Sequence, residues 1–224
     1  TYVQFMGKDN VAFHTVSFPA TILGSEEPWK TVDKLKAFNW LTWYGGKFST
    51  SEKRGVFMDQ ALDLLPGDYW RWYLTANAPE GSDSAFTWEH FQSLINSDLA
   101  NVLGNFVNRV VVLTSKYFDS KVPQASQHRT ETDEALCALM ASTPASVGAS
   151  IEKFRFRDAL QHAMALVRAG NKYLTEQEPW KLQKTDPSRT ATIMHLTCQV
   201  VGNCAVLLEP FLPQAASKIA AAFG

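Results

Sequence analysis

Residues 88–116 read WEHFQSLINSDLANVLGNFVNRVVVLTSK, and this stretch decides the fold. Large apolar residues recur in it at steps of three and four, which places them on one face of an α-helix. No proline interrupts the pattern. A helix of this length must bury its apolar stripe against other helices, so the sequence predicts a helical bundle. The stripe consists of Phe91, Leu94, Ile95, Leu99, Val102, Leu103, Phe106, Val110 and Leu113.

The rest of the C-terminal part, residues 87–224 in all, continues this helical pattern. Pro144 and Gly148 predict a break between two helices, and prolines also precede the last two helical stretches, as is usual at helix starts. We therefore predict a mainly α fold whose largest domain is an antiparallel helix bundle. After the first long helix, the predicted helices cover about 132–142, 150–176, 188–208 and 213–223.

The first 45 residues have a different pattern. Residues 2–6 form a short apolar run typical of a buried strand, and residues 10–23 have helical periodicity. A polar connection over 26–36 and a second strand over 37–43 follow. The order strand, helix, strand indicates an α/β fold, in which ligands bind beyond the carboxyl ends of the strands. We predict residues 1–45 to be the C-terminal part of a Rossmann-like domain.

A glycine-bounded cationic segment, Gly45 to Gly55, begins the middle part of the chain, residues 46–86. Three cations and three hydroxyls lie close together in it, which suits a polyanion such as a nucleotide triphosphate. A solvated surface loop has the same composition, and the segment does not contain the P-loop pattern. Two short helices should follow, the second capped at its start by Asp68, before a break near residue 80.

Composition limits the classes of function. Of the 224 residues, 46% are hydrophobic and 19% charged, with a net charge of −1. This balance argues against strong non-specific nucleic-acid binding, but it allows recognition of unpaired bases. No run long enough for a membrane span and no signal peptide are visible, so we expect a cytoplasmic protein without a membrane partner. Three cysteines without C-x-x-C spacing predict buried thiols rather than a zinc site.

Several stretches resemble one known family. Gly46-Lys47-Phe48-Ser49-Thr50-Ser51 is similar to the mobile lysine–serine loop, usually K-M-S-K-S, of class I aminoacyl-tRNA synthetases. Upstream, Phe5-Met6-Gly7-Lys8-Asp9, Phe13-His14 and Phe18-Pro19-Ala20 resemble that family's last catalytic strand and helix. Residues 69–74, YWRWYL, and Glu178-Pro179-Trp180 are similar to the methionyl members. The resemblance covers nearly the whole chain.

The resemblance implies a reaction in which the methionine carboxylate attacks the α-phosphate of ATP and releases pyrophosphate. Lys47 stands at the family's first catalytic lysine, but the second position holds the uncharged Thr50. Lys53 or Arg54 could supply the missing cation, and we take Lys47 and Lys53 as the catalytic candidates. The resemblance also implies ATP and Mg²⁺ as reactants, no zinc site, and His14 beside the methionine. The ATP candidates are Gly7, Asp9, Trp40, Leu41, Lys47, Ser49 and Ser51.

A second candidate site lies in the helical part. Asn105 and Arg109 are four residues apart and share a helix face, and Trp180 follows Pro179 at a helix break. By composition alone, the first pair is an ordinary solvated face and the tryptophan an ordinary core residue. The resemblance implies instead that these four residues read the CAU anticodon of tRNA(Met), by stacking and by hydrogen bonds to unpaired bases.

The family's other phosphate-binding signature, H-I-G-H, does not occur in these 224 residues, and neither does its metal-binding insert. The missing initiator methionine and the start inside an apolar strand suggest a fragment. We therefore expect this segment to need the N-terminal catalytic half of the same protein and to be inactive alone. Two alternatives remain: another class I synthetase with a similar bundle, such as the cysteinyl or leucyl enzyme, or a non-catalytic tRNA-binding module.

Overall fold

The structure is a computed structural model that describes residues 1–222. It divides the chain into two compact units, each made of two separate stretches. Compared with the predicted segments, residues 46–58 join the N-terminal unit, while residues 59–76 join the helical one. Unit 1 consists of Thr1–Met58 and Asn77–Trp88, and unit 2 of Asp59–Ala76 and Glu89–Gly224.

Unit 1 begins with two parallel strands joined by helical turns. Strand β1, Val3–Gly7, pairs with β2, Lys34–Phe38, so that Gly7 lies opposite Phe38. Parallel neighbours need a long crossover, and helix α1, Phe18–Gly24, provides it after a 3₁₀ turn and a π-helical turn. The predicted strand–helix–strand order is therefore confirmed, although β2 starts three residues inside the predicted connection.

The second predicted strand is interrupted in the middle. Strand β3, Leu41–Trp43, pairs in parallel with β4, Ser84–Phe86, and does not continue β2. Between β2 and β3 the backbone turns to other acceptors: the Asn39 N–H donates to the Pro79 carbonyl at 2.8 Å, and the Trp40 N–H donates to Asp83 Oδ1 at 2.9 Å. Prediction of one strand over 37–43 was wrong because both acceptors lie about forty residues away.

Unit 2 contains the long helix predicted from the apolar stripe. It runs without a break as α4, Trp88–Leu94, a π-helical stretch, Ile95–Gly104, and α5, Asn105–Phe118. Five stripe residues are buried, which confirms the periodicity argument: Phe91, Ile95, Leu103, Phe106 and Val110.

The helices that precede α4 in the chain are α2, Met58–Leu64, and α3, Gly67–Ala76. Asp68 is buried but does not cap its own helix as predicted. Its carboxylate accepts the backbone N–H groups of Gln214 and Ala215 at 3.3 and 2.7 Å, in the first turn of the last helix, Pro213–Ala221. The prediction that the Asp68 carboxylate accepts N–H groups at a helix start was right, but it named the wrong helix, because Ala215 is 147 residues away.

Helix α6, Glu131–Glu152, passes through Pro144 and Gly148, so the predicted break there was wrong. Residues on both sides of Pro144 are buried, among them Thr143 and Val147, and this packing outweighs the lost backbone hydrogen bond. The chain breaks later, at Phe154, whose φ of 56° ends the helix. The next helix therefore starts at Phe156 rather than near 150.

The bundle is completed by α7, Phe156–Gln177, α8, Pro179–Leu182, α9, Pro187–Leu208, and α10, Pro213–Ala221. Phe223, the end of the last predicted helix, lies outside the described residues. Within the described part, α9 alone is long and apolar enough to cross a membrane, and 67% of its apolar window is buried inside the protein. Mainly helical structure after small parallel sheets confirms the predicted fold class.

A buried ionic cluster joins three of these helices. Asp133 of α6 is fully buried and forms an ion pair with Arg189 of α9. Its carboxylate also accepts the Tyr173 hydroxyl of α7 at 2.5 Å and the Thr130 N–H at 2.9 Å. Burial acts to raise the pKa of the Asp133 carboxyl, but hydrogen bonds from Arg189, Tyr173 and Thr130 outweigh it and hold that pKa well below its usual range.

Candidate functional site

The candidate site of unit 1 is built around the indole of Trp40, just beyond the end of β1. Gly7 ends that strand, and a Cβ atom there would lie 2.7 Å from Asp9 Oδ1, so a larger residue would displace this carboxylate. Asp9 Oδ1 in turn accepts the Trp40 Nε1–H at 3.4 Å. The structure thus brings together three of the predicted ATP residues.

Two lysines lie against the same indole. The Lys8 ammonium is 4.3 Å and the Lys47 ammonium 5.4 Å from the Trp40 ring centroid, both within cation–π range. Lys47 is the predicted catalytic lysine, and the contact places its charge beside the Trp40 ring. A polyanion entering at this point meets an aromatic surface and the Lys47 ammonium, which has no salt bridge within residues 1–222, whereas Lys8 is paired with Asp83.

Asp83 holds Lys8 and the Trp40 backbone in this arrangement, although no sequence pattern pointed to it. Its Oδ1 atom accepts the Lys8 ammonium at 2.6 Å and the Trp40 N–H at 2.9 Å. These hydrogen bonds, that of Lys8 first, lower the pKa of the Asp83 carboxyl. Because Asp83 and Lys8 are 75 residues apart and Asp83 stands in a loop-like break, no local pattern connects them.

The lysine–serine loop is folded as a narrow turn. Ser49 and Arg54 form an antiparallel bridge, with N–H to carbonyl distances of 2.9 and 2.8 Å. The Ser49 hydroxyl lies 3.2 Å from the Ser51 hydroxyl and accepts the Glu52 N–H at 3.2 Å. Gly55 has φ of +132°, and a Cβ atom there would lie 2.3 Å from the Phe48 ring. The glycine that ends the loop is therefore required by its geometry.

The structure separates the two cations that could replace the charge missing at Thr50. Arg54 is occupied, because its Nε donates to the Lys47 carbonyl at 2.6 Å and its Nη2 lies 3.8 Å from Glu52. Lys53 is exposed, has φ of 49°, and its ammonium forms no salt bridge within residues 1–222. Lys53 is thus the cation free to contact a ligand, while Arg54 holds the loop together.

Leu41 and His14 complete the predicted residues of unit 1. Leu41 is half-buried at the start of β3, and the carbonyl of its neighbour Trp40 accepts the Ser84 N–H at 2.9 Å. His14 lies in the π-helical turn Phe13–Ser17, where its Nδ1 is 3.1 Å from Gln4 Oε1 on β1. Phe13 beside it is 62% exposed, so His14 does not lie in an apolar core of the described residues.

The second candidate site lies in unit 2 and brings Arg109 and Trp180 together. The Arg109 guanidinium carbon is 5.7 Å from the Trp180 ring centroid. Pro179 is buried at the start of α8, after Glu178 turns the chain with φ of 43°. Trp180 itself is 39% exposed, which excludes the interpretation as an ordinary core residue. An exposed indole beside a guanidinium is a suitable surface for stacking an unpaired base.

Asn105 and a cleft lie on the same side of the bundle. Asn105 is exposed at the start of α5, and its Nδ2 donates to the Asn101 carbonyl at 3.1 Å. The cleft has a volume of about 410 Å³ and lies between α7 and the α5 region. Its lining includes Val102, Arg109, Asn171, Lys172, Thr175 and Glu176. The contacts of Asn171 and Thr175 with Arg109 were not predicted, since they join residues more than sixty positions apart.

Within residues 1–222, neither the cysteines nor any group of potential metal ligands forms a further site. Cys198 and Cys204 are buried, and burial raises the pKa of the Cys204 thiol to about 12. Within residues 1–222, no group of three or more His, Cys, Asp or Glu side chains is arranged to hold a metal ion.

Comparison with known families matches the two parts of the chain separately. Residues 1–111 match the family "tRNA synthetases class I (M)", and residues 122–224 match the "Anticodon binding domain of methionyl tRNA ligase". The first match includes the Trp40 site together with Asn105 and Arg109. The second includes Pro179, Trp180, Asn171 and Thr175.

Curated relatives agree along the whole chain. It is 65% identical over 224 residues to a methionine–tRNA ligase of Maricaulis maris, and 57% identical over 223 residues to one of Caulobacter vibrioides. Both alignments cover 100% of this chain but only 39% of the relative. The chain therefore spans about two fifths of the length of the curated relatives it matches.

Solved structures support the same assignment. Mycobacterium tuberculosis methionyl-tRNA synthetase in complex with methionyl-adenylate superimposes with a TM-score of 0.91 at 30% sequence identity. The superposition covers 97% of this chain and 43% of that one. Both family matches, the curated relatives and this likeness agree, and the chain belongs to the methionyl-tRNA synthetase family of class I aminoacyl-tRNA synthetases.

Proposed function

We propose that the enzyme carrying these residues activates methionine with ATP and transfers it to tRNA(Met). The observation that carries the proposal is the exposed Trp180 indole beside the Arg109 guanidinium, within a helical unit that matches the methionyl anticodon domain. Such a surface binds an unpaired base by stacking and reads its edge by hydrogen bonds. In this role Asn105 and Pro179 form the remainder of the anticodon site.

In our proposal, unit 1 supplies part of the site of activation. The methionine carboxylate attacks the α-phosphorus of ATP, the bond to the bridging oxygen breaks, and pyrophosphate leaves with the electron pair. Lys47 and Lys53 stabilise the negative charge that develops on the phosphate oxygens. Backbone groups of Trp40 and Leu41 hold the adenine, and His14 borders the methionine. Gly7, Asp9, Ser49 and Ser51 complete the contacts with ATP.

Mg²⁺ would come with the triphosphate rather than from a cage of protein ligands. Residues 1–222 contain no cluster of acidic or imidazole groups suited to a metal, and Mg²⁺ bound to nucleotides usually keeps substrate phosphates and waters as its ligands. Of the two carboxylates at Trp40, Asp83 is already paired with Lys8. Asp9 is therefore the carboxylate that remains to contact the ribose or a hydrated ion.

The enzyme needs several partners for this reaction. Its partners are tRNA(Met), ATP, methionine and the N-terminal catalytic half of the same protein, and we propose that it acts in the cytoplasm, where these reactants meet. The three segments 1–45, 46–86 and 87–224 remain our proposal for its functional division. They correspond to the end of the catalytic domain, the lysine–serine loop with its connecting helices, and the anticodon-binding bundle.

Trp180→Ala in the whole enzyme tests the proposed anticodon site. Stacking of one base on an aromatic ring is worth about 1–3 kcal/mol, so kcat/KM for tRNA charging should fall by about tenfold or more. Exchange of pyrophosphate into ATP, which requires no tRNA, should stay nearly unchanged. Both activities are to be measured on the same preparation, together with its melting temperature.

The exposed Trp29 of unit 1, 66% exposed, provides the matched control. Trp29→Ala removes an equally large ring outside the proposed site and should leave the dependence of charging on the anticodon unchanged. If Trp180→Ala instead lowers the melting temperature sharply, and the remaining folded enzyme charges tRNA normally, Trp180 has no part in anticodon binding.

Lys53→Ala tests which cation replaces the charge missing at Thr50. A charge-assisted contact contributes about 1.5–3 kcal/mol, so we expect the rate constant of activation to fall by about tenfold or more. Lys53→Arg keeps the charge and should retain most of the rate. Stopped-flow or exchange kinetics of the whole enzyme give the result. An unchanged rate in Lys53→Ala would exclude this lysine and leave Arg54 as the next candidate.

A further inference from the structure

The guanidinium of Arg109 is held on one side by helix α7. Its Nη1 atom donates to Asn171 Oδ1 at 2.7 Å and to Thr175 Oγ1 at 3.0 Å. One Nη atom carries two hydrogens, so both donors of Nη1 are used by these contacts. The other edge of the guanidinium, formed by Nε and Nη2, has no hydrogen-bond acceptor within residues 1–222.

Both acceptors project from α7, and one of them, the Thr175 hydroxyl, is itself fixed. The Thr175 hydroxyl donates its hydrogen to the Asn171 carbonyl at 2.9 Å, which leaves its oxygen lone pairs for Arg109. Asn171 and Thr175 are four residues apart and share one face of a long helix. The orientation of the guanidinium is therefore set by a rigid element and not by the flexible arginine side chain alone.

Because Asn171 and Thr175 engage Nη1, the Nε and Nη2 atoms of Arg109 remain as donors for a ligand. With Nη1 engaged, the remaining Nε–H and Nη2–H form a parallel pair of donors. They belong to a guanidinium whose carbon lies 5.7 Å from the Trp180 ring centroid and which lines the cleft of about 410 Å³. Two parallel donors of this kind match two neighbouring acceptors on a base edge, such as N3 and O2 of cytosine. Uracil carries a hydrogen on N3 and cannot accept both bonds.

We propose that Asn171 and Thr175 are positioning residues that hold Arg109 so that its Nε–Nη2 edge reads a cytosine of the bound RNA. The inference rests on the proposed function, since it assumes that tRNA binds at Arg109 and Trp180. It adds that base discrimination depends on two residues of α7 that do not touch the RNA themselves.

Asn171→Ala, Thr175→Val and the double variant of the whole enzyme test this inference. Each loses an acceptor for Nη1, while the charge of Arg109 remains. We expect kcat/KM for charging a CAU tRNA to fall about fivefold to tenfold in each single variant. The ratio of kcat/KM for the CAU tRNA to kcat/KM for a transcript with uracil in place of the anticodon cytosine should fall by a similar factor. ATP–pyrophosphate exchange should not change.

Two control variants separate positioning from a merely structural role. Thr175→Ser keeps the hydroxyl and should retain wild-type discrimination. Asn108→Ala changes an exposed asparagine of α5 next to Arg109 and should behave as wild type. Because alanine favours helices more than asparagine, weakening of α7 is not a ready explanation for a loss in Asn171→Ala.

The outcomes distinguish this inference from the proposed function. If Trp180→Ala and Arg109→Ala impair charging while Asn171→Ala and Thr175→Val keep full discrimination, the positioning role is refuted and the anticodon site stands. If Trp180→Ala and Arg109→Ala also leave charging unchanged, the proposed site itself is wrong. In a third outcome, Asn171→Ala and Thr175→Val lower kcat/KM for both transcripts equally and also lower the melting temperature. This result would overturn the positioning role, because it would show a structural effect only.

Discussion

Asp133→Asn should lower the free energy of unfolding of the helical unit by about 3–5 kcal/mol at pH 7, because it leaves the charge of Arg189 buried without its partner. Arg189 is only 16% exposed and is neutralised by Asp133, so water replaces the lost carboxylate poorly. Urea unfolding followed by far-UV circular dichroism measures the loss. The adjacent Glu134→Gln is the control, since this exposed carboxylate should change stability by less than about 0.5 kcal/mol.

The same pair predicts how stability depends on pH. The pKa of Asp133 is lowered in the folded state, while an unfolded aspartate titrates near about 3.9. The unfolded chain therefore takes up a proton first as the pH falls, and the stability contributed by the carboxylate is present above about pH 4 and lost below it. The difference between wild type and Asp133→Asn should narrow from pH 5 to pH 2. A constant difference over that range would show that Asp133 is not the titrating group.

Lys47→Ala in the whole enzyme should reduce the rate constant of methionine activation by about 10²–10³-fold, with little change in methionine affinity. Removing one group that stabilises developing transition-state charge typically costs this much, and uniform binding of the substrate would not change. The contact of Lys47 with the Trp40 ring, at 5.4 Å, contributes only about 0.5–1 kcal/mol at an exposed position. Loss of that contact alone cannot explain a hundredfold effect.

Lys116 provides the control for this prediction. Its ammonium lies 5.6 Å from the Tyr117 ring centroid, a comparable lysine–aromatic contact in unit 2. Lys116→Ala should leave pyrophosphate exchange unchanged, while Lys47→Ala should nearly abolish it. A Lys47→Ala enzyme that exchanges pyrophosphate at the wild-type rate, with only a raised KM for ATP, would contradict a role in the chemical step.

Patterns within one helix or one strand were enough to predict the architecture. The stripe that includes Phe106 and Val110 gave the long helix directly, since periodicity is a local property of the sequence. Pro144 misled the prediction because burial of Thr143 and Val147 in tertiary contacts compensates for the local cost of a proline. Long, periodic elements are therefore well predicted, and their interruptions are not.

Some residues of the candidate sites were predicted from the sequence, and others were missed. Resemblance to the family named Lys47, Arg109 and Trp180 as candidates, and their roles stay predictions. Asp83 and Asn171 were missed because each acts on a residue more than sixty positions away. A pairing of this kind leaves no periodic signal on either side, so only the folded structure shows which ordinary polar residues hold the motif residues in place.

The contact of Asp68 with the first turn of α10 has a consequence for biosynthesis. Asp68 and Ala215 are 147 residues apart, so α3 obtains this partner only when almost the whole segment has been made. At about 5–20 residues per second, the ribosome needs on the order of ten to thirty seconds for that interval. During this time Asp68 of α3 lacks its hydrogen-bond partners, and the contact between α3 and α10 can form only after α10 has left the exit tunnel.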